Sequence, residues 1–138
     1  MVNMESNFNL TNFKKFDNSG ITRVVDKITL TQSNQINFPA AFYRFNELAG
    51  KRTAFLYYNE HDKQIAIEFN DSVNDRQGFK LILSKGGEYG AYIAAKAFLS
   101  SNKIDLSKYA GRYSYTKQSI GDIIYFVINL DEERGHMV

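Results

Sequence analysis

The sequence predicts an α+β domain in which two related units share one core. Three observations carry that expectation. Gln35-Ile36-Asn37-Phe38-Pro39-Ala40-Ala41-Phe42-Tyr43-Arg44 reads as a strand that stops at a proline and turns into a short helix. A similar passage returns at Ala91-Tyr92-Ile93-Ala94-Ala95-Lys96-Ala97-Phe98. An Ala-Gly-basic junction also occurs twice, at Ala49-Gly50-Lys51 and Ala110-Gly111-Arg112, each ahead of apolar alternating segments. The chain has 138 residues, of which 43% are apolar and 14% aromatic. That is enough for one packed core without disulfide or metal staples.

Composition narrows the chemistry. There is no cysteine, hence no disulfide framework and no thiolate metal site. With two histidines a histidine-based metal site is not expected either, and no cofactor is expected. No apolar run approaches bilayer length, and Met1 to Gly20 lacks the apolar centre of a signal peptide. The expectation is a cytoplasmic protein with no membrane contact. A net charge of +2 points only weakly to an acidic partner, so any such argument rests on where the charges lie.

Taken in order, residues 1–20 form an N-terminal arm rich in asparagine, with Phe8, Leu10, Phe13 and Phe16 spaced through it and Lys14-Lys15 between the last two. Residues 21–70 form the first unit. Lys27 to Thr31 alternates with period two and predicts a strand with Ile28 and Leu30 on one face. Gln32-Ser33-Asn34 is a polar turn, and Gln35 to Phe38 a second strand. Pro39 has no amide hydrogen for a ladder, and its fixed φ suits a first helical turn. Ala40, Ala41, Phe42, Phe45 and Leu48 continue with helical spacing until Ala49-Gly50. Thr53 to Tyr58 and Gln64 to Phe69 form a hairpin around a polar loop.

Residues 71–78 form a polar linker, and 79–130 a second unit sharing the core. Its expected parts are a strand from Phe79 to Ser84, a turn at Lys85-Gly86-Gly87 and a strand from Tyr89 to Ile93. A helix begins at Ala94, and Asn102 to Lys108 is an inserted connector. A closing hairpin joins Arg112–Thr116 to Ile123–Leu130. Residues 131–138 form a charged tail. A shift of 56 places Phe42 on Phe98 and Asn46 on Asn102, and a shift of 61 places Gly50-Lys51 on Gly111-Arg112, so the second copy carries a five-residue insertion.

The first unit resembles the AbrB/SpoVT/MraZ family of swapped-hairpin transcription factors. Ile28-Thr29-Leu30, Ile36-Asn37-Phe38-Pro39, Phe42, Arg44, Leu48, Gly50 and Ile65-Ala66-Ile67 carry the resemblance. It implies tandem swapped-hairpin β-barrel units with short helices, duplicated about a pseudo-two-fold axis, and a small DNA-associated regulator. The second unit departs from the family pattern at Ala95 and Ser100, where proline and arginine would fall, and Ser33-Asn34-Gln35 replaces the family's glycine-arginine turn.

Features of catalysis are sparse. No phosphate-loop motif is present, and Lys85-Gly86-Gly87 is a lone turn. Glu60-His61-Asp62 sits in an expected hairpin tip, where adjacent side chains point apart. His136 falls in the tail. The basic residues flanking the two helices carry more. Arg44, Lys51, Arg52, Lys96 and Arg112 are the candidate contacts to phosphate, with Lys51 and Arg112 equivalent under the duplication. The ordinary alternative is solvated positions that favour helix C-termini. Tyr113 and Tyr115 alternate along one segment and are candidates for an aromatic interaction face, stacking on bases or on a protein partner. The expected function is a non-enzymatic DNA-associated regulator. The alternative is a protein-interaction or assembly module, working as a homo-oligomer or with another protein.

Overall fold

A computed structural model describes residues 26–72, 75–87 and 90–132 of the chain. The arm at 1–20, the start of the first unit and most of the tail lie outside the described residues.

β1 (Ile28–Leu30) and β2 (Gln35–Phe38) form an antiparallel hairpin. Ile28, Leu30, Ile36 and Phe38 are buried, so the period-two pattern becomes one inward face. The Thr31 hydroxyl accepts from the Ser33 and Gln35 amides and closes the turn. Pro39 is extended and starts α1 (Ala40–Phe45). This helix is shorter than its spacing predicts. The Asn46 side-chain amide donates back to the Phe42 carbonyl, and Glu47 turns left-handed at φ 55°. Leu48 therefore reaches the core from the turn, while Phe45, expected on the helical apolar face, is 59% exposed.

β3 (Thr53–Asn59) and β4 (Gln64–Asn70) form the next hairpin, in which β4 buries Ile65, Ile67 and Phe69 in strict alternation. Where one strand is expected from Phe79 to Ser84, the chain makes two. β5 (Phe79–Lys80) pairs with β3, and β6 (Ile82–Leu83) pairs with β7 (Ala91–Ala94). Leu81 between them is buried, and its N–H donates to the Arg52 carbonyl as the chain crosses between sheets. After α2 (Lys96–Ser101), the expected connector contains a further helical turn, α3 (Leu106–Tyr109). Asp105 caps it by accepting from the Ser107 amide and hydroxyl, which also holds the Asp105 carboxyl below its usual range. The expected strand Arg112–Thr116 likewise divides. β8 (Gly111–Tyr113) pairs with β1, and β9 (Tyr115–Ile120) with β10 (Ile123–Asn129).

Two five-stranded antiparallel sheets result, in the orders β6-β7-β2-β1-β8 and β5-β3-β4-β10-β9. Neither closes into a barrel. This corrects the expected tandem swapped-hairpin barrel units: the strands breaking at Leu81 and Ser114 pass from one open sheet to the other. Likeness between the halves is local. The Asn46–Phe42 hydrogen bond recurs as Asn102–Phe98, and the left-handed Glu47 recurs as Lys103, also at φ 55°. Beyond that turn the second half adds α3 and β8, which have no counterpart among the described residues of the first.

Both sheets contribute to a single buried cluster. Phe42, fully buried, lies at its aromatic centre. Its ring is stacked on Phe38, tilted against Phe69 and edge-on to Tyr115 and Phe126, with centroids between 4.8 and 6.0 Å away.

Candidate nucleic-acid interface

Three of the five candidate cations come together. Arg44, Lys51 and Arg52 line one cleft of about 280 Å³ with Tyr43, Gly50 and Leu83. Arg44 projects outward from the last turn of α1, while Tyr43 beside it is buried. Lys51 follows a tight turn in which its N–H donates to the Leu48 carbonyl and Gly50 takes φ 91°, a value that suits glycine. Arg52 is pinned through its backbone. Its N–H donates to Asn70, and its carbonyl accepts from Leu81. The backbone carrying these charges is thus held at several points, leaving the side chains to meet a ligand.

Arg44, Lys51, Arg52, Lys96 and Arg112 form no ion pair with any described residue. The Tyr43 hydroxyl beneath the cleft is buried without a hydrogen-bond partner, and burial pushes its pKa up. Nothing in the sequence marked Tyr43; its role as floor of the cleft depends on α1 packing beside the Gly50 turn.

Arg112 stands elsewhere. It projects from the middle of β8 on the outer face of the first sheet, directly opposite Thr29. Lys51 and Arg112 are not equivalent, because one sits in a loop before β3 and the other within a strand that the first half lacks. Lys96 is exposed at the start of α2 and lines neither cleft.

The expected tyrosine face is also corrected. Tyr113 is fully buried in the first sheet, and its hydroxyl donates to the Tyr109 carbonyl. Tyr115 begins a strand of the second sheet and packs edge-on against Phe42 and Phe126. Its hydroxyl donates to Asp26 and accepts from Asn46, and burial pushes its pKa up. The break at Ser114 separates the two rings, so they present no common face. A different aromatic is outward. Tyr92 of β7 lies between the buried Ala91 and Ile93 and faces a second cleft, of about 390 Å³, with Asn37 and Arg112. Period-two alternation through Ala91–Ala94 is the signal that would have found it.

The other titratable contacts lie outside these two clefts. His61 and Asp62 do not point apart as expected at a hairpin tip: His61 Nδ1 is 2.9 Å from Asp62 Oδ1, and this contact holds the Asp62 carboxyl below its usual range. Tyr57 donates to Glu68, which with partial burial pushes its pKa up to about 12. No group of three His, Cys, Asp or Glu residues among those described is placed to hold a metal ion. No helix among the described residues is long and apolar enough to cross a membrane. No family model, curated protein or solved structure matches the chain.

Proposed function

We propose that the protein binds nucleic acid without catalysis, through phosphate contacts made by Arg44, Lys51 and Arg52. The observation that carries this reading is the convergence on one cleft, with a fixed backbone, of three cations that form no ion pair among the described residues. Each contact would release a counterion, so three contacts give a log–log salt slope of about −2 to −3. Arginine adds bidentate geometry toward phosphate. A cysteine-free composition fits such a protein in the cytoplasm.

The test is fluorescence anisotropy with labelled DNA at two salt concentrations. Lys51→Glu with Arg52→Glu is expected to weaken binding about 100-fold, about 1.4 kcal/mol for each reversed charge. Lys96→Glu, outside the cleft, is expected to change it less than about three-fold. Equal losses from both variants would leave only diffuse charge and remove the cleft from the account.

A second reading, assembly with a second copy, is favoured by β9. It is an edge strand of six residues, ending at Ile120, which is 70% exposed beside the exposed Ile123 and Ile124. Antiparallel pairing of two copies about Gln118 sets Lys117 opposite Ser119 and Thr116 opposite Ile120, with no like charges opposed. Sedimentation velocity is expected to show a dimer that Ile120→Lys dissociates; a monomer at all concentrations removes this reading.

A further inference from the structure

The outer face of the first sheet carries a row that no sequence motif announces. Register sets Arg112 opposite Thr29, Thr29 opposite Asn37, Asn37 opposite Tyr92 and Tyr92 opposite Ile82. One row of side chains therefore crosses all the strands of that sheet, over about 19 Å at the usual strand spacing. Neighbours in such a row have Cβ atoms about 5 Å apart. Thr29, Asn37, Tyr92 and Arg112 line the cleft of about 390 Å³, together with Gln35 and Ser84.

The row has an unusual chemistry for a solvated sheet face. It holds a half-buried tyrosine ring, a guanidinium with no ion pair among the described residues, and the hydrogen-bonding groups of Thr29 and Asn37, with Gln35 beside them in the cleft. Asn37 Oδ1 has no donor and is shielded from solvent, leaving its amide short of a partner. No carboxylate among the described residues lines the cleft. The phosphate-binding cleft proposed above lies next to it. Leu83 lines that cleft and Ser84 this one; their Cα atoms are about 3.8 Å apart, and Leu83 pairs with the inward Ala91 while Ile82 pairs with Tyr92, so the two clefts flank the β6 edge of the sheet.

We infer that the bound form is single-stranded nucleic acid, with its backbone on Arg44, Lys51 and Arg52 and an unpaired base on the Tyr92–Asn37–Arg112 row. The inference rests on the proposed phosphate cleft and adds the state of the strand. An aromatic face accepts any base by stacking, and a side-chain amide reads the pairing edge of a base only when no partner base occupies it. A duplex keeps its bases stacked on each other, so their faces are closed to Tyr92. Arg112 supplies charge at the far end of the row, where the strand leaves the sheet.

The experiment compares labelled oligo-dT, oligo-rU and a DNA duplex of equal length at low salt. The expected result is single-strand affinity at least about ten-fold above duplex affinity. Tyr92→Ala should lower the ratio of single-strand to duplex affinity about ten-fold, and Tyr92→Phe should preserve it. Arg112→Gln, at an exposed strand position that does not enter the core, should reduce the single-strand salt slope by about 0.7. Tighter binding of dT assigns DNA and of rU assigns RNA; either supports the inference. Duplex binding equal to or tighter than single-strand binding overturns it while leaving the phosphate cleft standing, provided Lys51→Glu with Arg52→Glu still weakens that binding about 100-fold. An unchanged ratio in folded Tyr92→Ala overturns it likewise. Absence of binding to all three probes removes the cleft and the row together.

Discussion

Phe42→Ala is expected to destabilise the protein by about 3–5 kcal/mol, the usual range for emptying a fully buried aromatic site. The site is fully buried and bounded by four rings drawn from separate elements: Phe38 of β2, Phe69 of β4, Tyr115 of β9 and Phe126 of β10. These rings belong to both sheets and are held by their own ladders, so they cannot close on the void together. The loss comprises the transfer energy of the ring and the lost contacts around the cavity. Phe45→Ala, three residues along, removes a ring that is 59% exposed and is expected to cost about 0.5 kcal/mol or less. Urea denaturation of the two variants measures the contrast through the midpoint at constant slope. A Phe42→Ala loss under about 1 kcal/mol would show that the aromatic centre repacks and does not join the sheets.

Gly90→Ala is expected to cost about 3 kcal/mol or more, from backbone strain and overlap combined. Gly90 sits at φ 94°, which L side chains rarely adopt. A Cβ there would lie 2.2 Å from the Phe38 carbonyl oxygen, with the backbones of Pro39 and Ala40 within 2.9 Å. These atoms form the junction between β2 and α1, which cannot yield without disturbing both. The Gly90 carbonyl also accepts from the Ser84 amide, tying β7 to the segment that passes between the two clefts. Gly50→Ala is the control. It also has positive φ, at 91°, but nothing lies within 4 Å of an added Cβ, so it carries conformational strain of about 1–3 kcal/mol alone. Equal losses at the two positions would show that the close approach to Phe38 relaxes and only the dihedral matters.

The parts of the fold legible in the sequence are those set by neighbours along the chain. Alternation in Gln64–Asn70 states which side chains go inward, and burial follows it residue by residue. Pro39 marks where a ladder stops and a helix starts, because it lacks the donor and its φ is preset. The length of α1 was less legible. Phe45 and Leu48 have helical spacing, but the Asn46 side chain competes for the Phe42 carbonyl and ends the helix first. Alternation at Tyr113 and Tyr115 was misleading for a related reason. Two residues share a face only within one strand, and the chain changes sheets at Ser114.

For the candidate site, the sequence alone determined the supply of charges: basic residues after a short helix, no acidic run beside them, and no motif of a metal or phosphate-loop enzyme. Tertiary structure decided which of them meet. Arg44, Lys51 and Arg52 share a cleft with Leu83, which is brought alongside by the bond from the Leu81 N–H to the Arg52 carbonyl just ahead of β3. Arg112 joins Tyr92 and Asn37 instead, through cross-strand registers linking β8, β1, β2 and β7. Periodicity is a property of one segment and can be read from it. Strand order and register are agreements between segments far apart in the chain, settled by which inward faces fill one core together.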